Sequence, residues 1–339
     1  MRRVTLTEQD RFIYEHEIRP FLPERLFDAH AHLLRCECHL HLDEELPLTR
    51  DPALAPVDLA YLEEWWRALF PDAEVQGLVM GTPTKSGDVE AENRFVAEEV
   101  QDTGNRFSIL VRPQTPVENL EATIRQLRPA GLKPYMAFTG LDAPNEAGIT
   151  DLIPEAQLAL ANEHRLAVTL HVAKPGGMAD ANNLDDIGRL VRDFPQCAFI
   201  LAHCGRCFIA PNMETALERL PVAENLWIDT SAVCDLGVFL HLFQRYDRTR
   251  VLFGTDLVTA TGFRGTYARL GLSWHVCTQG MVSGLEPKAT FAAYENLAAL
   301  LRAARFCGWS EAAIRDLFHE NAGRLFGLKA AQSGAGETP

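Results

Sequence analysis

Short apolar segments alternate with longer amphipathic segments about eight times along this chain, and no other feature of the sequence limits its fold as strongly. Each apolar segment has the length of a β-strand, and most are almost continuously hydrophobic, which is typical of strands buried on both faces. The predicted strands span residues 25–30, 76–81, 107–113, 131–136, 166–172, 198–205, 226–232 and 250–256.

The segments between these strands carry apolar residues at helical spacing. The predicted helices span residues 59–70, 89–103, 116–128, 150–164, 183–194, 212–220, 236–246, 287–306 and 310–318. Thr150 and Ser310 occupy positions at which helix N-caps are expected. A strand followed by a helix, repeated eight times, predicts an α/β fold of the (β/α)8 TIM barrel type. A doubly wound open sheet is the alternative, but it would usually carry a Gly-rich phosphate loop after an early strand, and the sequence has none.

The chain is expected to form one barrel domain over residues 25–328, preceded by an N-terminal helical arm at 1–24. Residues 329–339 are rich in small residues and are expected to form a disordered tail. A chain of 339 residues can bury a core that needs no disulfide bonds.

The charge of the chain restricts its partners and its location. The net charge is −14, which argues against a nucleic acid or an anionic membrane as the main partner. No apolar run reaches the roughly 18 residues that a membrane span needs, and no apolar segment of a signal peptide follows the basic start. The eight cysteines are therefore expected to be thiols in a cytoplasmic protein.

Polar residues that can bind a metal recur at the C-terminal ends of the predicted strands, where TIM barrels carry their active sites. His30 and His32 close the first strand, and two residues apart on an extended chain they point to the same side. The others lie in or after the fourth, fifth, sixth and eighth strands: Lys133, His171, His203 and Asp256. A single histidine in an apolar strand is usually structural. Six polar residues at equivalent positions indicate a metal site, because burying such groups without a partner is costly.

This combination resembles the amidohydrolase superfamily, and in particular its second branch, which contains lactonases, metal-dependent decarboxylases and hydratases. The resemblance extends from Asp28 to about Gly327 and includes the closing segment Asn-Ala-Gly-Arg-Leu-Phe-Gly at 321–327. It implies a single divalent ion with four protein ligands, namely His30, His32, His171 and Asp256.

The resemblance also implies roles for residues beside the metal. His203 would lie next to the metal-activated water or the substrate, and Asp256 would take a proton, so both are expected to be catalytic. Zinc is the first choice because the ligands are imidazole and carboxylate, and manganese is the second. Lys133 lies in the strand where some members of the superfamily carry a carboxylated lysine that bridges two metals. A two-metal centre is therefore an alternative, and so is a Lys133 that contacts the substrate as a cation.

Cationic residues follow several predicted strands although the chain is acidic overall. A positive barrel mouth predicts an anionic small-molecule substrate, bound through its carboxylate or phosphate groups. The alternative is that these cations pair with acidic neighbours. His275 could also reach the mouth from the long segment after the eighth strand, with Trp274 stacked on a planar substrate. The predicted cationic contacts are Arg112, Lys174, Arg206 and Arg264.

A second pair of histidines, His39 and His41, follows Cys36 and Cys38 in the segment after the first strand. This cluster could be a soft metal site. It could equally be a loop that is rich in these residues, because no matching pair of ligands is evident elsewhere. The two histidines do not end a predicted strand and are therefore not assigned as primary ligands.

The sequence thus predicts a metal-dependent hydrolase that uses a metal-activated water on a C–O or C–N bond of a small carboxylated molecule, such as a lactone or an amide. A metal-dependent decarboxylase of the same fold is the first alternative. A non-catalytic barrel that binds a metal or another ligand is the second. A homodimer is compatible with the sequence, since similar proteins are often dimers.

Overall fold

Eight parallel strands form a single sheet whose strands follow one another in chain order, from β1 to β8. The computed structural model describes residues 4–281 and 288–328. All eight predicted strands are present, although most are shorter than predicted. Their bounds are β1 Arg25–Leu33, β2 Glu74–Gly81, β3 Arg106–Val111, β4 Gly131–Pro134, β5 Ala167–Leu170, β6 Ala198–Leu201, β7 Leu226–Asp229 and β8 Val251–Leu252.

The sheet curves round until β8 meets β1. The backbone N–H of Ala29 donates to the carbonyl of Phe253 over 2.8 Å, and that of Asp256 donates to the carbonyl of His30 over 2.7 Å. A parallel bridge joins Ala31 to Leu257. These contacts bring the first and last strands together, and the prediction of a (β/α)8 barrel is confirmed.

Helices connect successive strands and cover the outside of the barrel. Six of them begin with a side chain that accepts a hydrogen bond from the first turn, contributed by Thr7, Asp58, Asp88, Asp180, Asp235 and Ser310. The helices are Glu8–Ile13, Leu42–Glu45, Leu59–Leu69, Val89–Val100, Val117–Leu127, Ile149–Leu152, Glu155–Glu163, Ala181–Asp193, Ala210–Leu217, Leu236–Arg245, Ala292–Phe306, Glu311–Arg315 and Asn321–Phe326. No helix among the described residues has the length and apolar character needed to cross a bilayer.

The prediction of an N-cap at Thr150 is wrong, whereas that at Ser310 is confirmed. Thr150 lies inside the short helix Ile149–Leu152, and a separate helix, Glu155–Glu163, begins after Pro154. The sequence pattern predicted one helix over 150–164 because the apolar spacing continues across this break. Proline favours the start of a new helix but cannot continue an existing one.

The inside of the barrel is filled by a small apolar cluster to which strands from different parts of the chain contribute. Phe27 of β1, Ile200 of β6 and Trp227 of β7 belong to it. Phe326 of the last helix packs against this cluster, and its ring lies 5.6 Å from that of Phe27. The core therefore fills the barrel beneath the strand ends, and the polar residues of the sequence prediction are left at the opposite end.

A two-stranded antiparallel hairpin follows β8 and was not predicted. It consists of β9, Gly265–Leu270, and β10, Ser273–Thr278. The sequence predicts only a long segment after the eighth strand here, because the alternation of polar and apolar residues along it is weak. The predicted tail at 329–339 lies outside the described residues.

The N-terminal segment is attached to the barrel through a buried ion pair. The side chain of Asp10 is fully buried and accepts two hydrogen bonds from the guanidinium of Arg264, over 2.9 and 2.7 Å. The hydroxyl of Thr290 donates to the same carboxylate over 2.6 Å. Arg264 was predicted to bind substrate; in the structure its guanidinium pairs with Asp10 and does not line the cavity at the strand ends.

Replacing Asp10 by alanine should lower the free energy of unfolding by about 3–5 kcal/mol, the usual cost of removing one partner of a buried pair. Burial alone would raise the pKa of Asp10, but hydrogen bonds from Arg264 and Thr290, with those from Thr7, outweigh it and lower the pKa. The ionised form is thus the stabilising one. The difference in the free energy of unfolding between wild type and variant should therefore have its full value above about pH 4. It should shrink at lower pH, where the carboxyl group of Asp10 becomes protonated.

Urea unfolding at pH 7 and pH 3 would measure this dependence. Glu121→Ala is the control, because Glu121 pairs with Arg125 on an exposed helix surface, where ion pairs contribute little. Equal losses of stability in the two variants would contradict a special role for the Asp10 pair.

Candidate metal centre

The ends of four strands bring the five residues predicted as metal ligands or catalytic groups to one cavity of about 310 Å³. Two lie within β1, one directly follows β5, one comes two residues after β6, and one follows β8. These five residues are His30, His32, His171, His203 and Asp256. Residues distant in sequence therefore line one space because the strands of a parallel barrel all end at the same face.

The two histidines of β1 are held with their Nε2 atoms facing each other. Nδ1 of His32 lies 2.9 Å from the carbonyl oxygen of Gly81, which can only accept, so Nδ1 carries the proton. Nδ1 of His30 lies 2.8 Å from a carboxylate oxygen of Asp229. The two Nε2 atoms are 3.2 Å apart. Two lone pairs at that distance cannot bond to each other, so the pair is suited to binding a cation between them.

Asp256 completes this part of the site. One of its oxygens lies 3.3 Å from Nε2 of His32 and 3.8 Å from Nε2 of His30. Its backbone has a left-handed φ of 61° and donates to the carbonyl of His30. Burial would raise the pKa of Asp256, but the surrounding histidines, His203 foremost, outweigh burial and hold the pKa well below its ordinary value. The carboxylate is therefore ionised at neutral pH.

His203 stands at the start of a left-handed turn that includes Arg206. Residues 203–206 all have positive φ, between 53° and 63°, a conformation that costs about 1–2 kcal/mol for each residue other than glycine. Gly205 is required here, because a Cβ at this position would lie 2.5 Å from the sulfur of Met178. Strain of this kind is typical of functional sites, and here it turns His203 towards Asp256.

The donor atoms converge closely enough to fit a divalent ion. Ligand atoms of His30, His203 and Asp256 lie within 4.8 Å of one another, the only such group of three or more in residues 4–281 and 288–328. Burial lowers the pKa of His203 to about 4 and also lowers that of His30, where the neighbouring Lys133 adds to the effect. The imidazoles are thus neutral at pH 7, as metal ligands must be.

His171 lies farther from the centre of this group. Its ring centroid is 5.1 Å from that of His203 and 4.7 Å from that of Tyr135. Its Nδ1 atom is buried without a hydrogen-bond partner among the described residues. A buried nitrogen of this kind is costly unless something binds it, which is consistent with a ligand role. The sequence analysis had placed His171 rather than His203 among the ligands, whereas the tighter group contains His203.

Lys133 extends from β4 into the same space. Its ammonium group lies 3.0 Å from Nε2 of His30. Burial lowers the pKa of Lys133 to about 8, and the carboxylates of Asp256 and Asp229 limit the decrease. This side chain therefore competes for, or shares, the position at which a cation would contact His30.

Arg206 is the one predicted arginine that lines the cavity. One of its Nη atoms donates to the carbonyl of Val172 over 3.1 Å, and its Nε is buried without a partner. No carboxylate of the described residues lies within 4.0 Å of it, since every ion pair found there involves other cations. Burial lowers the pKa of Arg206, although Tyr135 opposes this. The guanidinium is thus a partly buried charge that lines the cavity and has no carboxylate of the described residues beside it.

The remaining predicted substrate contacts do not line the cavity. The guanidinium of Arg112 donates to the backbone of Gly87 and lies over the ring of Phe138. The ammonium group of Lys174 donates to the carbonyl of Glu146 over 3.2 Å. His275 is exposed on β10. The structure therefore does not bring these three residues to the cavity, and their substrate roles stay predictions.

An aromatic wall faces the polar residues across the cavity. Phe208 and Trp274 stack with ring centroids 4.1 Å apart, and Tyr267 lies 5.2 Å from Phe208. Trp274 and Tyr267 belong to the hairpin, so the unpredicted hairpin supplies part of the site. Alternation along β10 explains why Trp274 faces inward while its neighbour faces solvent.

The cysteine and histidine cluster after β1 does not converge on one point. Nδ1 of His39 lies 2.6 Å from the hydroxyl of Thr84, and its Nε2 lies 3.7 Å from a buried oxygen of Glu92. His41 is exposed. None of the eight cysteines, all of which are described, forms a disulfide bond. The structure gives this cluster the role of packing the loop after β2 against the barrel.

Sequence reasoning missed the role of two residues at the end of β7. Asp229 is fully buried and contacts both His30 and His203. Ser231 lies 2.8 Å from Nδ1 of His203. The sequence does contain a signal for Asp229, because an aspartate that ends a buried barrel strand is costly unless a partner binds it.

Comparisons with solved structures agree with the fold. The chain is similar to 4-oxalomesaconate hydratase from Rhodopseudomonas palustris, with 16% identity, a TM-score of 0.55, and coverage of 89% of this chain and 96% of that one. A probable 2-pyrone-4,6-dicarboxylic acid hydrolase from Acinetobacter baumannii has 14% identity and a TM-score of 0.56, with coverage of 89% and 99%. 5-Carboxyvanillate decarboxylase from Sphingomonas paucimobilis has 15% identity and a TM-score of 0.51, with coverage of 91% and 100%.

No curated protein matches the chain. A family model described as amidohydrolase matches residues 27–328, which include all eight barrel strands except the first two residues of β1. The predicted resemblance is therefore confirmed, and the chain belongs to the amidohydrolase family of enzymes.

Proposed function

We propose that this enzyme is a metal-dependent hydrolase that cleaves a C–O or C–N bond of a small carboxylated molecule, such as a lactone or an amide. One observation carries the proposal: a convergent group of imidazole and carboxylate donors lines the same 310 Å³ cavity as the partly buried guanidinium of Arg206, which pairs with no carboxylate of the described residues. The donors suit a divalent ion, and the guanidinium suits a substrate carboxylate.

The ion would be held by His30, His32, His203 and Asp256, with His171 within reach of the same space. When bound, a divalent ion supplies Lewis acidity towards a carbonyl oxygen and makes water a better nucleophile at neutral pH. Zinc is proposed first because the donors are nitrogen and carboxylate oxygen, and manganese second. A second ion would have to recruit Lys133, whose ammonium group contacts His30.

The protein residues have distinct parts in this proposal. Asp256 is ionised and accepts the proton of the attacking water. His203 is neutral at pH 7 and would hold the ion through its free ring nitrogen, so Asp256 would pass the proton that it has accepted to the leaving oxygen or nitrogen. Arg206 binds the substrate carboxylate and so places the carbonyl carbon beside Asp256. The aromatic wall excludes water from the other side of the substrate.

Decarboxylation is the second candidate, and the aromatic wall favours it. The neighbouring rings of Phe208 and Trp274, whose planes are inclined by 31°, offer an aromatic surface on which a flat aromatic acid could stack. One of the structural relatives acts on 5-carboxyvanillate, as its name states. In this case the same donors would bind the substrate through its carboxylate and an adjacent oxygen.

A cytoplasmic location and a homodimer are also proposed. The location rests on the cysteines, all of which are thiols, as is usual in a reducing compartment. The homodimer rests on the sequence resemblance.

Two measurements test the proposed function. Elemental analysis of the purified protein should give about one divalent ion per chain, with loss of the ion in His30→Ala. Two ions would favour the two-metal alternative, and protein that neither contains nor takes up a divalent ion would contradict the proposal.

Substrates are then sought among carboxylated lactones, carboxylated amides and aromatic acids in ¹⁸O-labelled water. Hydrolysis places ¹⁸O in the new carboxyl group, whereas decarboxylation releases CO₂ and leaves the remaining organic product unlabelled.

A further inference from the structure

Asp229, the last residue of β7, contacts two of the histidines at the site through separate oxygens. Its Oδ2 lies 2.8 Å from Nδ1 of His30. Its Oδ1 accepts hydrogen bonds from the backbone N–H groups of His203 and Ser231, over 2.9 and 3.1 Å, and from the Ser231 hydroxyl over 2.5 Å. Asp229 and Ser231 are fully buried, so no water competes for these contacts.

The hydrogen atoms in this network can be assigned from its chemistry. A carboxylate can only accept, so Nδ1 of His30 must donate to Asp229. The Ser231 hydroxyl has a single hydrogen, which is directed to Asp229. The oxygen of Ser231 must then accept at its remaining contact, with Nδ1 of His203 at 2.8 Å. Both imidazoles therefore carry their proton on Nδ1.

We propose that Asp229 is a positioning residue that fixes the tautomer of His30 directly and that of His203 through Ser231, leaving Nε2 of both rings as the acceptor. The residue does not touch the reacting atoms. Its effect is to give both histidines the form in which a neutral imidazole can bind a cation or accept a proton. The hydrogen bond to the His203 backbone also holds the left-handed turn that carries Arg206.

Only the expected effect on metal affinity rests on the proposed function. The tautomers themselves can be measured in protein without metal. A merely structural Asp229 would hold the ends of β6 and β7 together, and its replacement would change stability without changing which ring nitrogen carries the proton. Asp229→Asn separates the two cases. The asparagine amide keeps the shape of the carboxylate and can donate to Nδ1, so it favours the opposite tautomer of His30.

The experiment uses metal-free full-length protein labelled with ¹⁵N-histidine and long-range ¹H–¹⁵N spectra, with assignments from His30→Gln and His203→Gln. In the wild type, both rings should show a protonated Nδ1. In Asp229→Asn, His30 should shift towards a protonated Nε2, and the affinity for Zn²⁺ should fall by about 10- to 100-fold. In Ser231→Ala, only the His203 signals should change, and the loss of Zn²⁺ affinity should be smaller.

Thr230→Val is the matched control. Thr230 is a buried neighbour in the same loop, and its hydroxyl bonds only to the carbonyl of Leu252, over 3.2 Å. This variant should leave both tautomers unchanged. Unaltered His30 tautomers in Asp229→Asn, or equal changes in Thr230→Val, would overturn the inference. If the tautomers change as expected but the wild type binds no Zn²⁺, the inference stands and the proposed metal site fails.

Discussion

Asp256→Asn should reduce kcat/KM by about 10²- to 10⁴-fold, the range over which a positioned acid–base group contributes. A neutral amide cannot take a proton from water, and it removes the negative charge that faces the Nε2 atoms of His30 and His32. The loss should appear mainly in kcat. Asparagine tolerates the left-handed backbone of this position better than most residues do, so the fold should be retained.

Asp235→Asn is the matched control for this variant. Asp235 also follows a barrel strand, but its carboxylate caps the helix Leu236–Arg245 and accepts from the backbone of Gly237 over 2.7 Å. Asparagine caps helices about as well as aspartate, so kcat/KM should stay within about twofold. Steady-state kinetics on the substrate found in the screen would measure both variants. Full activity in Asp256→Asn would remove Asp256 from the reaction.

The barrel could be predicted from the sequence because each strand is buried on both faces and therefore reads as an almost unbroken apolar run. The hairpin β9–β10 could not, because it packs on one side only and its outward residues Leu270 and Leu272 are exposed although they are apolar. The break at Pro154 was missed for a related reason, since apolar spacing alone does not show where one helix stops.

The convergence of the proposed metal-binding residues could be predicted because their positions follow from the strand ends, which the periodicity locates. The supporting contacts could not be predicted in the same way. Whether Arg206 or Arg264 faces the cavity depends on loop conformation, and only the structure shows that Asp10 occupies Arg264. The contact between Asp229 and His30 likewise joins residues that are 199 positions apart in the sequence. No local pattern in the sequence encodes such a contact.

Arg206→Met should weaken binding of a carboxylated substrate by about 2–5 kcal/mol, which is roughly 30- to several-thousand-fold, as expected when one partner of a buried charge pair is removed. The effect should appear in KM and be small in kcat, since the guanidinium holds the substrate rather than reacting. The free energy of unfolding should not fall, because the variant removes a partly buried charge that has no carboxylate of the described residues beside it in the free protein.

A matched substrate and a matched variant make this result specific. A neutral carboxamide or methyl ester of the same substrate should bind wild type and Arg206→Met about equally, because it presents no charge to the guanidinium. Lys174→Met is the control variant: Lys174 also has a left-handed backbone and was also predicted to bind substrate, but its ammonium group is bound to the carbonyl of Glu146. Its replacement should leave KM unchanged. Equal weakening of the charged and neutral substrates in Arg206→Met would mean that Arg206 shapes the cavity rather than pairing with an anion.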